Sequence, residues 1–119
     1  MSKILNMLMA FVMSFGISGS NVNPSDIPEN SNFEVHFIDV GQADSALIEC
    51  DGETMMIDGG NVADSNVVAA YLKKEDVTEL NYVVCSHAHE DHVGGLSGAL
   101  SVTKADNIYA PKTGEYKGI

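Results

Sequence analysis

The chain contains no arginine. Its six basic residues are all lysines, they face 17 Asp and Glu, and the formal net charge is −11 at pH 7. A protein that grips nucleic acid by charge needs Lys and Arg to displace counterions from the phosphates. This balance argues against such broad binding. Cysteine is scarce as well, with Cys50 and Cys85 alone. An oxidising compartment would permit a disulfide between them. Cys85, however, ends the apolar run Tyr82-Val83-Val84 and reads better as a small buried residue. Internal repeats are lacking. The apolar run from Ile4 to Ile17 is interrupted by Asn6 and Ser14. It falls short of the about 20 residues that a membrane span needs.

That short run has another reading. Lys3 precedes it and Ser18-Gly19-Ser20 follow it. A positive start, a brief apolar stretch and small residues make a secretory signal peptide over residues 1–20. The chain is therefore expected to be secreted or extracytoplasmic, with an uncleaved N-terminal membrane anchor as the alternative. Residues 21–32 are rich in Asn, Ser and Pro and are expected to form a flexible linker. The folded part is assigned to residues 33–119.

Within it, strands are expected at Glu34–Val40, Ser45–Cys50, Thr54–Ile57, Asn81–Ser86 and Asn107–Ala110. A helix is expected over Asp64–Lys74, where Asp64 or Ser65 can cap and Val67, Val68, Tyr71 and Leu72 make an apolar stripe. A second helix from His92 to Leu100 is weakened by Gly94, Gly95 and Gly98. Strands alternating with helices define an α/β fold. His36 shares its strand with Phe33, Val35 and Phe37 on the opposite face, and reads as an exposed or locally bonded residue.

Chemistry concentrates in Ser86-His87-Ala88-His89-Glu90-Asp91-His92. Three imidazoles and the Asp91 carboxylate lie within six residues, directly after a β-type run. These are nitrogen and oxygen donors of the kind zinc takes. Core packing gives no reason to cluster histidines so closely. A turn between a strand and a helix lets His87, His89, Asp91 and His92 converge on one point.

The stretch resembles the His-x-His-x-Asp-His signature of the metallo-β-lactamase superfamily at all four ligand positions. Phe37-Ile38-Asp39-Val40-Gly41-Gln42-Ala43-Asp44-Ser45 is similar to the opening hairpin of its competence-type branch, found in DNA-uptake proteins. Met56-Ile57-Asp58-Gly59-Gly60 resembles its strand-to-helix turn, and Val93-Gly94-Gly95-Leu96 its usual sequel to the metal motif. Two departures stand out. Ala43 occupies a position where the family usually has glycine, and Ala88 one where the branch often has proline.

The resemblance implies the N-terminal half of an αββα sandwich with a metal site at the sheet edge. It implies Zn²⁺, two ions per complete domain: His87 and His89 on one, Asp91 and His92 on the other, with other divalent metals as alternatives. Asp58 and Asp91 become the catalytic carboxylates, Asp58 by accepting a hydrogen bond from a ligand imidazole. Asp39, Gln42 and Asp44 become candidates for the mouth of the site, or simply a polar hairpin loop. Metal-activated water would attack the substrate, since bound water falls from a pKa of about 15.7 to about 7. Redox members carry a carboxylate where this chain has His89, which favours hydrolysis. The branch points to a small-molecule or phosphodiester substrate, a phosphate ester among them. A lactam, lactone or thioester is the alternative on the same metals.

The family's later half adds another His for each metal and a bridging carboxylate, and no His follows His92. The chain is thus expected to be the N-terminal part of a longer enzyme, with the inner face of its sheet exposed. A truncated, non-catalytic secreted module is the competing class. A separate chain completing the sandwich is a third reading.

Overall fold

The computed structural model describes residues 30–112, and Lys3 ahead of them. The expected signal peptide lies outside the described residues apart from Lys3, as does the expected linker up to residue 29. Where description begins, the chain is already tied down. Asn32 donates its N–H to Asp51 Oδ1 at 2.9 Å, and Ser31 donates its hydroxyl to Asp51 Oδ2 at 3.3 Å. Among the described residues, no helix is long and apolar enough to cross a membrane.

Five strands form one mixed sheet in sequence order: β1 (Phe33–Phe37), β2 (Ala46–Cys50), β3 (Glu53–Ile57), β4 (Glu79–Val84) and β5 (Lys104–Tyr109). The β1–β2 and β2–β3 pairs are antiparallel, and β3–β4 and β4–β5 are parallel. The parallel pairs require crossovers. A 3₁₀ turn (Val62–Asp64) and α1 (Ser65–Lys74) make the first crossover; α2 (Glu90–Val93) and α3 (Leu96–Val102) make the second.

The helices cover one face of the sheet. Leu47, Met56, Leu80 and Val83 pack there with Val68 and Leu72 of α1 and with Leu96 and Ala99 of α3, all of them buried. Tyr71 is half-buried beside them, and Val67 of the expected stripe points outward. Asp64 sits at the α1 N-terminus but spends its carboxylate on the preceding turn. Its Oδ2 accepts from the Asn61 backbone N–H at 2.8 Å and from the Asn61 amide at 3.1 Å.

The other face carries a smaller cluster: Ile48, Cys50 and Met55, flanked by Phe33, Ile57, Tyr82 and Val84. Cys85 packs against the helix-side core instead. The two cysteines therefore lie on opposite faces of the sheet, and both are free thiols. Burial pushes the Cys85 thiol up, with Asp58 adding to the effect. Around the smaller cluster apolar surface stays open, with Phe37 84% and Tyr109 56% exposed.

The expected helix from His92 to Leu100 is two pieces. Gly94 and Gly95 divide it, and the reason is close packing. A Cβ on Gly95 would lie 1.9 Å from the Gly59 carbonyl oxygen, and one on Gly59 would lie 2.5 Å from Leu96 N. Two glycine pairs thus meet backbone to backbone. Gly98 plays the same part between helices, where an added Cβ would meet Ser65 O of α1 at 1.9 Å.

The loop between β1 and β2 takes its left-handed turn at Gly41, with φ of 65°. Ala43 is not among the positive-φ residues, so alanine costs nothing in conformation there. These two kinds of glycine are separable by unfolding in urea. Gly98→Ala is expected to destabilise the fold by about 1–3 kcal/mol through overpacking. Gly41→Ala has open space around it and should cost only its left-handed backbone, about 1 kcal/mol.

Candidate metal centre

Parallel α/β sheets place their sites outside the carboxyl ends of the strands. Here β3 ends into Asp58 and β4 ends into Cys85 and the histidine motif. Asp58 N donates to Val84 O at 2.9 Å, which extends the β3–β4 ladder one residue beyond β3. Asp58 then turns left-handed, at φ 56°. Aspartate tolerates that region better than most residues. The turn sends its carboxylate inward, where Asp58 is only 3% exposed.

A buried carboxylate needs partners, and Asp58 has three donors. Its Oδ1 accepts from Ser86 N at 2.8 Å. Its Oδ2 accepts from Ser86 Oγ at 2.5 Å and faces His92 Nδ1 at 2.9 Å. Ser86 Oγ also lies 3.0 Å from His87 Nδ1. One assignment of hydrogens satisfies the whole set. His92 donates Nδ1–H to Asp58, Ser86 donates its hydroxyl to Asp58, and His87 donates Nδ1–H to Ser86. Both imidazoles then carry a free lone pair on Nε2, the state a metal ligand requires.

The backbone reinforces this placement. Gly59 N donates to His92 O at 2.6 Å, Gly95 N to Gly60 O at 2.9 Å, and Asp44 N to Asp91 O at 3.2 Å. The β1–β2 loop, the β3 turn and the motif are thus stitched together. The rings gather as well: His87 and His92 have centroids 3.8 Å apart, and His87 and His89 4.8 Å. Asp91 Oδ2 is 3.6 Å from His92 Nε2.

Of the loop candidates, Asp44 approaches the site, with Oδ2 3.6 Å from His92 Nδ1. It also lines a cavity of about 360 Å³ with Phe37, Ser45, Ile57 and Asp58. Asp39 binds its own loop through Gly41 N at 3.2 Å. Gln42 is exposed, and neither it nor Asp39 lines that cavity. Glu90 has a structural partner, accepting from Val62 N at 3.1 Å.

The donor set and its hydrogen bonding suit zinc. The ligand atoms, however, are not drawn to one point. Among the described residues, Glu34, His36 and Glu49 are the set of three whose ligand atoms all lie within 4.8 Å of one another, and no three motif residues meet that test. Sequence reasoning passed over that trio and over Ser86 as the link between Asp58 and His87. The alternation of Glu34 and His36 on one strand face was the available signal for the trio.

The sequence model of the metallo-beta-lactamase superfamily matches residues 38–118. That is most of the chain, and the protein belongs to this superfamily, whose members are mostly metal-dependent hydrolases. The five-stranded sheet with its helices is a partial form of that fold. No curated protein matches the chain.

His92 titrates above its ordinary value, chiefly through the hydrogen bond to Asp58, with Asp91 and Asp44 adding to it. In the metal-free chain, protonated His92 therefore supports the fold below its unfolded pKa of about 6.5. That support fades as pH rises through the higher folded value. An NMR titration of the ring protons checks this. The midpoint should lie above that of free histidine and fall in Asp58→Asn, which keeps a residue tolerant of the left-handed turn.

Proposed function

We propose that this chain supplies the metal-binding half of an exported zinc-dependent hydrolase acting on phosphodiesters or phosphate esters. The observation that carries the reading is the Asp58–Ser86–His87/His92 network at the carboxyl ends of β3 and β4, which leaves Nε2 free on two imidazoles when both rings donate from Nδ1. His87 and His89 would hold one ion, and Asp91 and His92 a second. Zinc bound there supplies a Lewis acid and activates water at neutral pH.

The chain's own residues do the rest. Asp58 fixes the His92 tautomer and raises the ring's basicity. Ser86 passes part of that effect to His87. Asp91 adds a negative charge that offsets the metal, and Asp44 stands beside His92 at the mouth of the cavity. Glycines behind Asp58 keep side chains out of the junction, so the backbone segments that position the carboxylate pack in direct contact.

Support for a phosphate substrate comes from the Phe37–Ser45 loop and its likeness to the competence-type branch. The net charge of −11 is no obstacle, because bound cations dominate the field close to the site. Lactams, lactones and thioesters are the competing substrates. The Lys3–Ser20 pattern supports export.

One specific observation favours a second reading, a non-catalytic module: no three motif ligand atoms lie within 4.8 Å of one another. Elemental analysis of the purified chain, with bis(p-nitrophenyl) phosphate as substrate, separates the two. The hydrolase predicts about two motif-bound zinc ions per chain and turnover abolished by His89→Ala. Asp58→Asn should weaken zinc binding about 10–100-fold. Loosely held zinc without turnover on the phosphate, a β-lactam or a thioester would mean that the motif is incomplete in this chain, with hydrolysis belonging to a longer chain or absent as in the module.

A further inference from the structure

The sheet carries a second group of ligand-type side chains, away from the histidine motif. Glu34 and Glu49 stand directly opposite each other in the β1–β2 register. Like charges in that position destabilise a strand pair unless a cation lies between them. His36 points at the same spot. Its Nε2 lies 3.2 Å from Glu49 Oε2 and 3.5 Å from Glu34 Oε2.

The contact is not a hydrogen bond. His36 Nε2 is buried and has no hydrogen-bond partner among the described residues. A proton there would point at neither oxygen. The far side of the ring explains the alternative, because His36 Nδ1 lies 2.8 Å from Tyr71 Oη of α1. When Nδ1–H donates to the tyrosine oxygen, Nε2 is left as a lone pair facing two carboxylates. One imidazole nitrogen and two carboxylate oxygens, all within 4.8 Å of one another, are three ligands of the kinds that zinc takes.

Solvent reaches the site from the carboxylate side, where the Glu34 side chain is 56% and the Glu49 side chain 31% exposed. Glu49 walls a polar cavity of about 320 Å³ that also contains Thr54, Asp76, Glu79 and Asn81. The location is distinct from the motif. Glu49 pairs with Thr54 on β3, four residues before Asp58, or roughly 13 Å along the strand at about 3.3 Å per residue.

We propose that Glu34, His36 and Glu49 bind a divalent transition-metal ion of the zinc type, with Tyr71 fixing the His36 tautomer. The bound ion would clasp β1 to β2 and, through Tyr71, to α1. This site is independent of hydrolysis and of the motif's ligands.

The test uses the whole chain carrying His87→Ala, His89→Ala and Asp91→Ala, which leaves His92 as the motif's one ligand, in competition with a chromophoric zinc chelator. This background should retain about one zinc ion per chain. Adding Tyr71→Phe, which removes one hydroxyl and leaves the packing ring, should weaken binding about tenfold. Adding Glu49→Gln should weaken it at least as much, with the far-UV circular dichroism unchanged in both. Absence of zinc from the background chain would overturn the proposal. Retained zinc whose affinity ignores both Glu49→Gln and Tyr71→Phe would overturn it equally, since the ion would then sit elsewhere.

Discussion

The backbone contact between Gly59-Gly60 and Gly94-Gly95 sets the rest of the structure. A Cβ on Gly95 would overlap the Gly59 carbonyl, so no side chain can stand between these segments. Two hydrogen bonds hold them, Gly59 N to His92 O and Gly95 N to Gly60 O. Because β3 and α2 meet without spacers, the carboxylate that follows β3 reaches an imidazole within α2. The Asp58–His92 contact is therefore a product of main-chain packing as much as of side-chain attraction. The same contact places Leu96 and Ala99 over the sheet, so core and site share one joint.

Much of this was legible in the sequence. The alternation of strands and helix, the α1 stripe through Val68 and Leu72, and the clustered histidines all follow from periodicity and residue type. The five strands fall close to the expected positions, with ends shifted by a few residues. What periodicity misjudged was glycine. Counted by helix propensity, Gly94, Gly95 and Gly98 merely weaken a helix. Their actual role is steric, and it depends on partners some 35 residues away in sequence, at Gly59 and Ser65.

Long-range pairing hid other features for the same reason. Glu34 and His36 share a face by simple alternation, but Glu49 joins them only through the β1–β2 register, and Tyr71 only through the docking of α1. Ser86 looked like the end of a strand. Its hydroxyl matters because Asp58 folds back to it from 28 residues upstream. Ala43, which departs from the usual glycine, turned out harmless because the left-handed turn falls two positions earlier, at Gly41.

Ser86 sits between one carboxylate and two rings, and this makes the two halves of the motif unequal. His92 touches Asp58 directly, whereas His87 reaches it only across a hydroxyl. Negative charge on Asp58 thus feeds His92 first and His87 at one remove. The ring in direct contact is the stronger electron donor, so the pair forms a graded couple, with one strong and one softer nitrogen drawing on a single anion.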